Sequence, residues 1–507
     1  MVFSSTIFLF IFLPVVLLLY YGFNLILRKH NRARIAVLNG ILLVASLVFY
    51  AWGEPHNILI MIASILCNFL FGKLLGYFDA REKVRKAILI VSILFNVGML
   101  FAFKYLNFIT DIIFDLFNHG TNLFAISVGR IALPIGISFF TFQIMSYTID
   151  VYRRKAKPQN NIFRLGLYIA LFPQLIAGPI VRYVDVDNAL ADRSFDVEKV
   201  YKGLCRFCLG LAKKVLISNT VAQVVDKIFE MPAGNLPMAT AWLGAIGYTL
   251  QIYFDFSGYS DMAIGLGHMF GFDFLENFNY PYISKSVKEF WRRWHISLSS
   301  WFRDYLYIPL GGNRRYRKPG EPDNTRNKVR TQFNIFIVWL TTGIWHGASF
   351  NFITWGLFYW VLLTAENMFL GKWFEKFETT FRKWHIQFIP IVIQHLYTVV
   401  AFVIGWVIFN SSDMSQAVHF IGSMFKFGHF GWAEMQAQLT NTTTLAFILG
   451  IVFSIPIVPW VREKIAKLKN GDVINTALGS VLSMVLLIVS VIFLTGSDYN
   501  PFIYWRF

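Results

Sequence analysis

Residues 481–494 read VLSMVLLIVSVIFL, a stretch without a charged side chain. Runs of the same kind occur at residues 41–49, ILLVASLVF, and at residues 58–71, ILIMIASILCNFLF. The core of a soluble protein would alternate such runs with polar faces, whereas a membrane-spanning helix needs about 20 predominantly apolar residues in succession. The runs therefore predict an all-α polytopic membrane protein rather than two or three soluble domains.

The composition agrees with a membrane protein. Hydrophobic residues make up 56% of the 507 residues and charged residues 15%, against about 45–50% and about 25% in soluble domains. The formal net charge of +17 could indicate nucleic-acid binding, but Lys and Arg cluster in loops between the apolar runs. Because that distribution is the positive-inside signature of membrane proteins, we predict no nucleic-acid partner. Cys205 and Cys208 form a single Cys-x-x-Cys without a second pair or a nearby histidine, so we also predict no metal site.

The pattern of apolar runs predicts about eleven transmembrane helices in one domain that covers residues 1–507. The expected spans are residues 6–27, 35–52, 57–78, 87–107, 131–150, 239–257, 333–349, 351–370, 388–410, 444–461 and 475–495. Two further segments, 162–180 and 203–217, are short or interrupted by glycine and proline. We expect both to be re-entrant or in-plane, an arrangement that a membrane tolerates only where other protein covers the irregular backbone.

The basic loops predict the orientation of the chain. Residues 285–330 are rich in Lys and Arg, whereas the loop at 108–130 contains one basic residue. The alternation of rich and poor loops predicts an N-terminus outside and residues 285–330 in the cytoplasm. If the basic stretch 372–383 is cytoplasmic as well, residues 333–370 must form a hairpin that returns to the same side. His346 would then lie near the turn of that hairpin.

One segment with candidate chemistry is KEFWRRWHISLSSWFRDYLYIPL, residues 288–310. Its aromatic residues and Leu298 recur at three- and four-residue spacing, which predicts a helix with one apolar face. Because the opposite face is basic, we expect this helix to lie in the plane of the membrane interface. His295 borders the apolar face, and the pattern leaves open whether it is a site residue or a hydrogen-bonded interfacial histidine.

A second segment is WLTTGIWHGASFNFITW, residues 339–355. It contains His346, and an ionisable side chain at membrane depth is expensive enough that it usually faces a cavity or a partner. Gly343 and Gly347 would let another helix or a substrate approach closely. Imidazole suits acyl transfer because its unperturbed pKa near 6.5 lets it accept and return a proton near neutrality. The alternative is a structural histidine that is hydrogen-bonded between helices.

A third polar segment, YFDFSGYSDMAIGLG, occupies residues 253–267. Asp255, Ser257 and Asp261 crowd one end of an apolar span there. The two carboxylates could form an acid–base pair, but a structural polar cap or the lining of a cavity explains them equally well.

These segments resemble a known family. WRRWHISLSSWFRDYLYIPLGGNR (291–314) and WHGASFNFITWG (345–356) are similar to the two signature segments of bacterial membrane-bound O-acyltransferases, in particular those of the alginate O-acetyltransferase type. The similarity extends through LPIGISFFTFQIMSYTIDVYR (133–153), LFPQLIAGPIVR (171–182) and NPFIYWRF (500–507). The resemblance implies a fold of many helices around a central funnelled chamber.

The resemblance also implies roles for single residues. It makes His346 the essential catalytic residue, and it makes His295 the second signature position, in the same chamber. We predict that arginines of the segment around His295 bind the phosphates of the donor, because guanidinium groups bind phosphate oxygens bidentately; these are Arg292, Arg293, Arg303 and Arg314. The positive-inside distribution of Lys and Arg in cytoplasmic loops would explain the same charges without a bound ligand. The residues that we expect to line the chamber are Trp345, Asp304, Asn313, Asp255, Ser257 and Asp261.

The function that the resemblance implies is a membrane O-acetyltransferase of the bacterial inner membrane. It would take an acetyl group from a cytoplasmic donor, acetyl-coenzyme A, without a bound cofactor. Surrounded by membrane lipid, it would pass the group to an extracytoplasmic acetyltransferase partner that modifies an exported polysaccharide such as alginate.

Two alternatives remain at this stage. One is D-alanyl or other acyl transfer from a carrier-protein thioester to a cell-wall polymer. The other is a transporter with an intramembrane histidine, which inverted repeats with paired broken helices would support. Consumption of a labelled acyl donor separates the two enzymes from the transporter.

Overall fold

Helices make up every regular element of the part of the chain that the structure describes. In this computed structural model, the described residues are 1–117, 131–312, 325–383, 385–386, 388–497 and 499–503. Seven helices are long and apolar enough to cross a membrane: Phe8–Ile26, Asn31–Gly53, Ile58–Tyr77, Glu82–Lys104, Val197–Glu230, Phe388–Asn410 and Gly471–Gly496. A bent pair, Asn441–Phe453 and Ile457–Ala466, makes an eighth if it forms one span. The predicted all-α polytopic membrane fold is confirmed.

The other expected spans lie in helices that are shorter or more polar, namely Ile137–Tyr152, Met238–Met269, Thr325–His346 and Phe350–Ala365. The longer of the remaining helices are Leu106–Phe117, Ile162–Ala170, Tyr183–Ala191, Gly371–Lys383 and Met414–Met424, and the shorter ones include Phe172–Leu175, Glu366–Leu370 and Trp432–Gln436.

The chain divides into two compact units, and each unit is built from two stretches of sequence. The first unit consists of Met1–Phe207 and Ser260–Leu275, and the second of Cys208–Tyr259 and Glu276–Phe507. Both candidate histidines belong to the second unit. The single domain over residues 1–507 stays a prediction.

The expectation of an interrupted segment at residues 203–217 is wrong. A helix of 34 residues, Val197–Glu230, runs through it. Its glycines do not interrupt the helix, and Gly203 serves helix packing instead, because a Cβ atom there would lie 2.6 Å from the carbonyl oxygen of Gly265. The other segment, 162–180, is broken as expected, since Ile162–Ala170 ends before the short helix Phe172–Leu175.

The predicted single helix over residues 288–310 is also wrong. The segment forms a short helix, Val287–Arg293, and after a break a continuous helical stretch composed of Ile296–Phe302 and Arg303–Gly312. The break falls at His295, whose φ of +45° lies in the left-handed region. The periodic apolar pattern is therefore shared between the helices on the two sides of this break.

The expected hairpin around His346 is present. The helices Thr325–His346 and Phe350–Ala365 are joined by three residues, of which Ser349 caps the second helix. Gly343 allows close packing, because a Cβ atom there would overlap the carbonyl oxygen of Phe352. Small residues at such contacts are what lets helices approach each other in a membrane protein.

Aromatic side chains connect this hairpin to the segment that holds His295. The ring of Trp291 lies 4.7 Å from the ring of Trp339 and 4.7 Å from that of Tyr359, measured between centroids. Trp294 lies 4.7 Å from Trp406 in the helix Phe388–Asn410. Large aromatic rings contribute strongly to packing, so this cluster fixes the relative position of the two histidine-bearing segments.

Candidate active site

His295 and His346 line the same cavity in the second unit. The cavity has a volume of about 270 Å³, and its lining is mostly aromatic and aliphatic. A small cavity of about 20 Å³ borders His295, His346 and Trp294 as well. The two histidines therefore lie where a large cavity and a small cavity adjoin.

The backbone at His295 is held in an uncommon conformation. A non-glycine residue with a positive φ costs about 1–3 kcal/mol and persists where surrounding contacts enforce it. Here Asn277 supplies the contact, because its carbonyl oxygen accepts a hydrogen bond from the backbone N–H of Ile296 at 3.0 Å. The strained turn directs the imidazole ring into the core, where it is buried.

The side chain of Asn277 determines the tautomer of His295. Its Oδ1 atom accepts hydrogen bonds from the backbone N–H and the hydroxyl of Ser297, at 3.2 and 2.9 Å. Because a backbone N–H can only donate, this atom must be the amide oxygen. The same oxygen lies 3.0 Å from Nδ1 of His295, so Nδ1 carries the proton.

His295 consequently presents a hydrogen-bond acceptor at its other nitrogen. With the proton on Nδ1, Nε2 holds a lone pair in the neutral ring. Nε2 is buried and has no hydrogen-bond partner among the described residues. Burial lowers the pKa of His295 below its ordinary value, because desolvation disfavours the imidazolium. The ring is therefore a neutral acceptor at neutral pH.

His346 is positioned by packing. It is the last residue of the helix Thr325–His346, and its exposed fraction is 9%. Its ring meets Trp355 and Phe409 edge to face, with centroids 5.0 and 5.1 Å apart. Trp345, which was predicted to line the chamber, lies 4.9 Å from the His346 ring and 6.3 Å from the His295 ring. These aromatic rings restrict how the imidazole of His346 can turn.

Two of the predicted donor-binding arginines lie at the large cavity. Arg292 and Arg303 contribute to its lining together with Lys288. Arg303 also forms an ion pair with Asp304, with 2.8 Å between Nε and Oδ1. Asp304 itself is not part of the lining of either cavity. The large cavity thus combines two histidines with three cationic side chains.

The structure places Arg293 elsewhere. Arg293 forms an ion pair with Glu289 at 2.9 Å and donates a hydrogen bond to the carbonyl oxygen of Asn279 at 3.1 Å. It does not line either cavity. Asn313 and Arg314 lie outside the described residues, so their predicted roles stay predictions.

In the polar segment 253–267, Phe256 lines the small cavity, whereas the predicted lining residues Asp255, Ser257 and Asp261 line neither cavity. Asp255 pairs with Lys214, with 2.5 Å between the charged atoms, and Asp261 pairs with Arg206 at 2.8 Å. Ser257 is buried. Because each carboxylate has a cationic partner of its own, the geometry favours structural roles over an acid–base pair.

Sequence reasoning missed Asn277. It lies in the loop that follows the helix Met238–Met269 and belongs to no periodic pattern or motif. Only the three hydrogen bonds that converge on its side-chain oxygen reveal its position beside the histidine.

Comparison with known proteins gives the family. The pattern of the MBOAT, membrane-bound O-acyltransferase family, matches residues 151–412. The probable alginate O-acetylase of Pseudomonas putida is 38% identical, with 100% of both chains covered. The peptidoglycan O-acetyltransferase of Helicobacter pylori is 31% identical over 84% of this chain and 80% of that protein. The teichoic acid D-alanyltransferase of Bacillus subtilis is 32% identical, but over 48% of this chain and 61% of that protein.

The family pattern covers both histidine-bearing segments, and the similarity to the Pseudomonas protein runs along the whole chain. The membrane-spanning helices fit the same assignment. The chain is thus a multi-pass membrane protein and an O-acyltransferase, and it belongs to the membrane-bound O-acyltransferase family.

Proposed function

We propose that this protein takes an acetyl group from a cytoplasmic thioester, acetyl-coenzyme A, and passes it across the membrane for O-acetylation of an exported polysaccharide. The observation that carries the proposal is the cavity of about 270 Å³ in which His295 and His346 meet Arg292, Arg303 and Lys288. Such a cavity offers a base for the acceptor hydroxyl and cations for the phosphates of the donor.

His346 is the general base of the proposed transfer. Its imidazole takes the proton of the acceptor hydroxyl while the hydroxyl oxygen attacks the carbonyl carbon of the thioester. The carbon–sulfur bond then breaks, and the departing thiolate receives the proton from the imidazolium. An ester and a free thiol result, and the histidine returns to its neutral state. Proton transfer by a positioned base contributes about 10²–10⁴-fold to the rate.

His295 orients the donor in this mechanism. An imidazole at this position could orient the donor or polarise the thioester carbonyl. Polarising a carbonyl requires an N–H at the cavity, whereas the tautomer that Asn277 favours places a lone pair on Nε2. We therefore propose that Nε2 accepts a hydrogen bond from an amide N–H of the pantetheine arm.

Arg292 and Arg303 bind the phosphates of coenzyme A in this proposal. Their guanidinium groups suit phosphate oxygens better than the ammonium group of Lys288 does, because the planar fork binds two oxygens at once. A carrier-protein thioester shares the pantetheine arm and one phosphate, which is why the donor needs a direct test.

We infer the class of acceptor from the names of two similar proteins. The Pseudomonas putida protein is named for alginate and the Helicobacter pylori protein for peptidoglycan, so we propose a polysaccharide of the cell envelope or of the exported matrix. An extracytoplasmic acetyltransferase would be the partner that completes the transfer. The N-terminus outside and residues 285–330 in the cytoplasm remain part of the proposal, as does the inner membrane.

The test uses the full chain in lipid nanodiscs with acetyl-coenzyme A and, separately, with an acetylated or D-alanylated carrier protein. Turnover of acetyl-coenzyme A alone would support the proposal, and turnover of the D-alanylated carrier alone would favour the teichoic acid type of reaction. In cells, loss of the gene should remove O-acetyl esters from the exported polysaccharide. Unchanged polymer acetylation in such cells would contradict the proposal.

A further inference from the structure

The segment Tyr499–Ile503 forms part of the wall around the two histidines. Ile503 is buried and lines the small cavity of about 20 Å³ together with His295 and His346. It does not line the large cavity with the cationic side chains. The segment therefore closes the histidine site on the side of the small cavity.

A buried ion pair holds this segment. Lys214 and Asp255 are 2.5 Å apart, and each side chain has an exposed fraction of 2%. Oδ2 of Asp255 accepts a hydrogen bond from the backbone N–H of Ile503 at 2.9 Å, and Nζ of Lys214 donates one to the carbonyl oxygen of Pro501. Both charges thus bind the backbone of the same short segment.

Further contacts attach the rest of the segment. The amide of Asn219 donates a hydrogen bond to the side-chain oxygen of Asn500 at 3.1 Å, and the ring of Phe502 lies 4.8 Å from that of Tyr259. A segment without regular secondary structure must place its backbone polar groups in hydrogen bonds when it is buried. Here two buried charges serve that purpose, although burying charges is costly.

We propose that the Lys214–Asp255 pair positions Ile503 as a wall that keeps water away from the thioester carbonyl on the small-cavity side. The inference rests on the proposed function. In a transferase, water competes with the acceptor, and its attack on the carbonyl would break the carbon–sulfur bond to give acetate and free thiol. A closed site prevents this side reaction. Lys214 and Asp255 act through Ile503 and are positioning residues.

The main variant is the double substitution Lys214→Met/Asp255→Leu. A single substitution would leave one buried charge without its partner and destabilise the fold, whereas apolar replacement of a whole buried pair is often tolerated. The double variant removes the partners of Ile503 and Pro501 without stranding a charge. Ile503→Ala serves as a second variant, because it keeps the ion pair and removes only the side chain of the wall.

The activity readout is the release of free coenzyme A from acetyl-coenzyme A by the full chain in nanodiscs without an acceptor. Both variants should raise this rate, lower polymer acetylation in cells by about 10²-fold, and leave the donor KM near the wild-type value. Arg206→Met is the control, since it removes a cation from the same helix, eight residues earlier, whose partner is Asp261. We expect the control to leave thiol release at the wild-type rate.

Hydrogen exchange of the peptide around Ile503 gives a readout that needs no donor. The wild type should protect this peptide, and the double variant should lose that protection. Equal protection in both proteins would overturn the inference, as would lost protection without any rise in thiol release. If the wild type does not turn over acetyl-coenzyme A while the protection changes as expected, the proposed donor is wrong and the positioning of Ile503 stands.

Discussion

The two segments that carry the histidines are built in different ways. His346 ends a regular helix in a tight hairpin, and aromatic rings hold its imidazole. His295 lies at a break between two short helices with a positive φ, and Asn277 holds its imidazole by a hydrogen bond. Aromatic packing restricts the first ring, whereas the hydrogen bond to Asn277 determines the tautomer of the second.

This difference fits the two proposed roles, a base for His346 and a positioning group for His295. In the proposed mechanism, His346 as the base gains a proton and then gives it up. A positioning group works best when its tautomer is fixed, and the oxygen of Asn277 fixes that of His295. We expect substitutions in the two segments to change different kinetic parameters.

The largest expected effect is that of His346→Ala. Loss of the base should lower polymer acetylation by about 10²–10⁴-fold, while donor binding changes little. The measurement is the acetyl content of the exported polysaccharide, with the protein level in the membrane fraction determined in parallel. His419→Ala is a suitable control because His419 lines neither described cavity. Acetylation at the wild-type level by the His346 variant would exclude the residue as the base.

Asn277 provides the second test. Asn277→Leu removes the oxygen that accepts from Nδ1 of His295 and should lower the rate by about 10–100-fold, as loss of the hydrogen-bond partner of a metal-binding histidine does. Asn277→Asp keeps an acceptor and should retain much more activity. A carboxylate there also favours the imidazolium, so activity of the Asp variant should fall at a higher pH than in the wild type as the pH is lowered.

Nitrogen chemical shifts of labelled histidine would show the tautomer of His295 directly. If the Leu and Asp variants lose equal activity, or if the wild-type ring carries its proton on Nε2, Asn277 does not fix the tautomer.

The sequence predicted the hairpin and not the break, for a physical reason. The hairpin follows local rules: small residues at the contact, a capping serine and apolar helices on both sides. The segment 288–310 has an equally good helical period, but hydrogen bonds to the loop residue Asn277 and contacts with the aromatic core hold a break in it at His295. Such long-range contacts leave no periodic signal in the segment itself.

The same reasoning applies to the charged residues. Arginine was expected at the site because of its chemistry, and Arg292 and Arg303 do line the large cavity. The sequence could not separate them from Arg293, which bonds Glu289 one helical turn away. Nor could it place Asp255, whose partner Lys214 lies far away along the chain. Residue type predicts which side chains could bind a phosphate or form an ion pair. Tertiary contacts decide which of them line the cavity and which form ion pairs elsewhere.

These arginines give the third prediction. Arg292→Glu and Arg303→Glu should each raise the KM for acetyl-coenzyme A by about tenfold with a smaller change in kcat, because they remove binding that is common to the ground and transition states. Arg293→Gln should change the KM much less, since Arg293 lies outside both cavities. Cysteine labelling must first establish that residues 285–330 keep the same side in each variant. Equal effects of all three substitutions would indicate a general effect of charge rather than binding at the cavity.

The smallest expected effects come from two serines, one in each histidine segment. Ser349 accepts a hydrogen bond from the backbone N–H of Asn351 at the start of the second hairpin helix, and loss of such a cap costs about 1 kcal/mol. Ser349→Ala should therefore lower the melting temperature of the purified protein by about 1 °C and leave kcat almost unchanged. Ser297→Ala removes one of the donors to Oδ1 of Asn277.

Ser297→Ala should lower kcat and leave the melting temperature almost unchanged, the reverse of the effect of Ser349→Ala. The backbone N–H of Ser297 and Nδ1 of His295 still bind the Asn277 oxygen in this variant, so little stability is lost. The amide of Asn277 is less firmly oriented, however, and the imidazole that depends on it gains freedom to turn. We expect a lower kcat with a melting temperature close to that of the wild type. If both serine variants change only the melting temperature, the hydrogen bonds around His295 serve the fold alone, and the contrast between the two histidine segments has no consequence for catalysis.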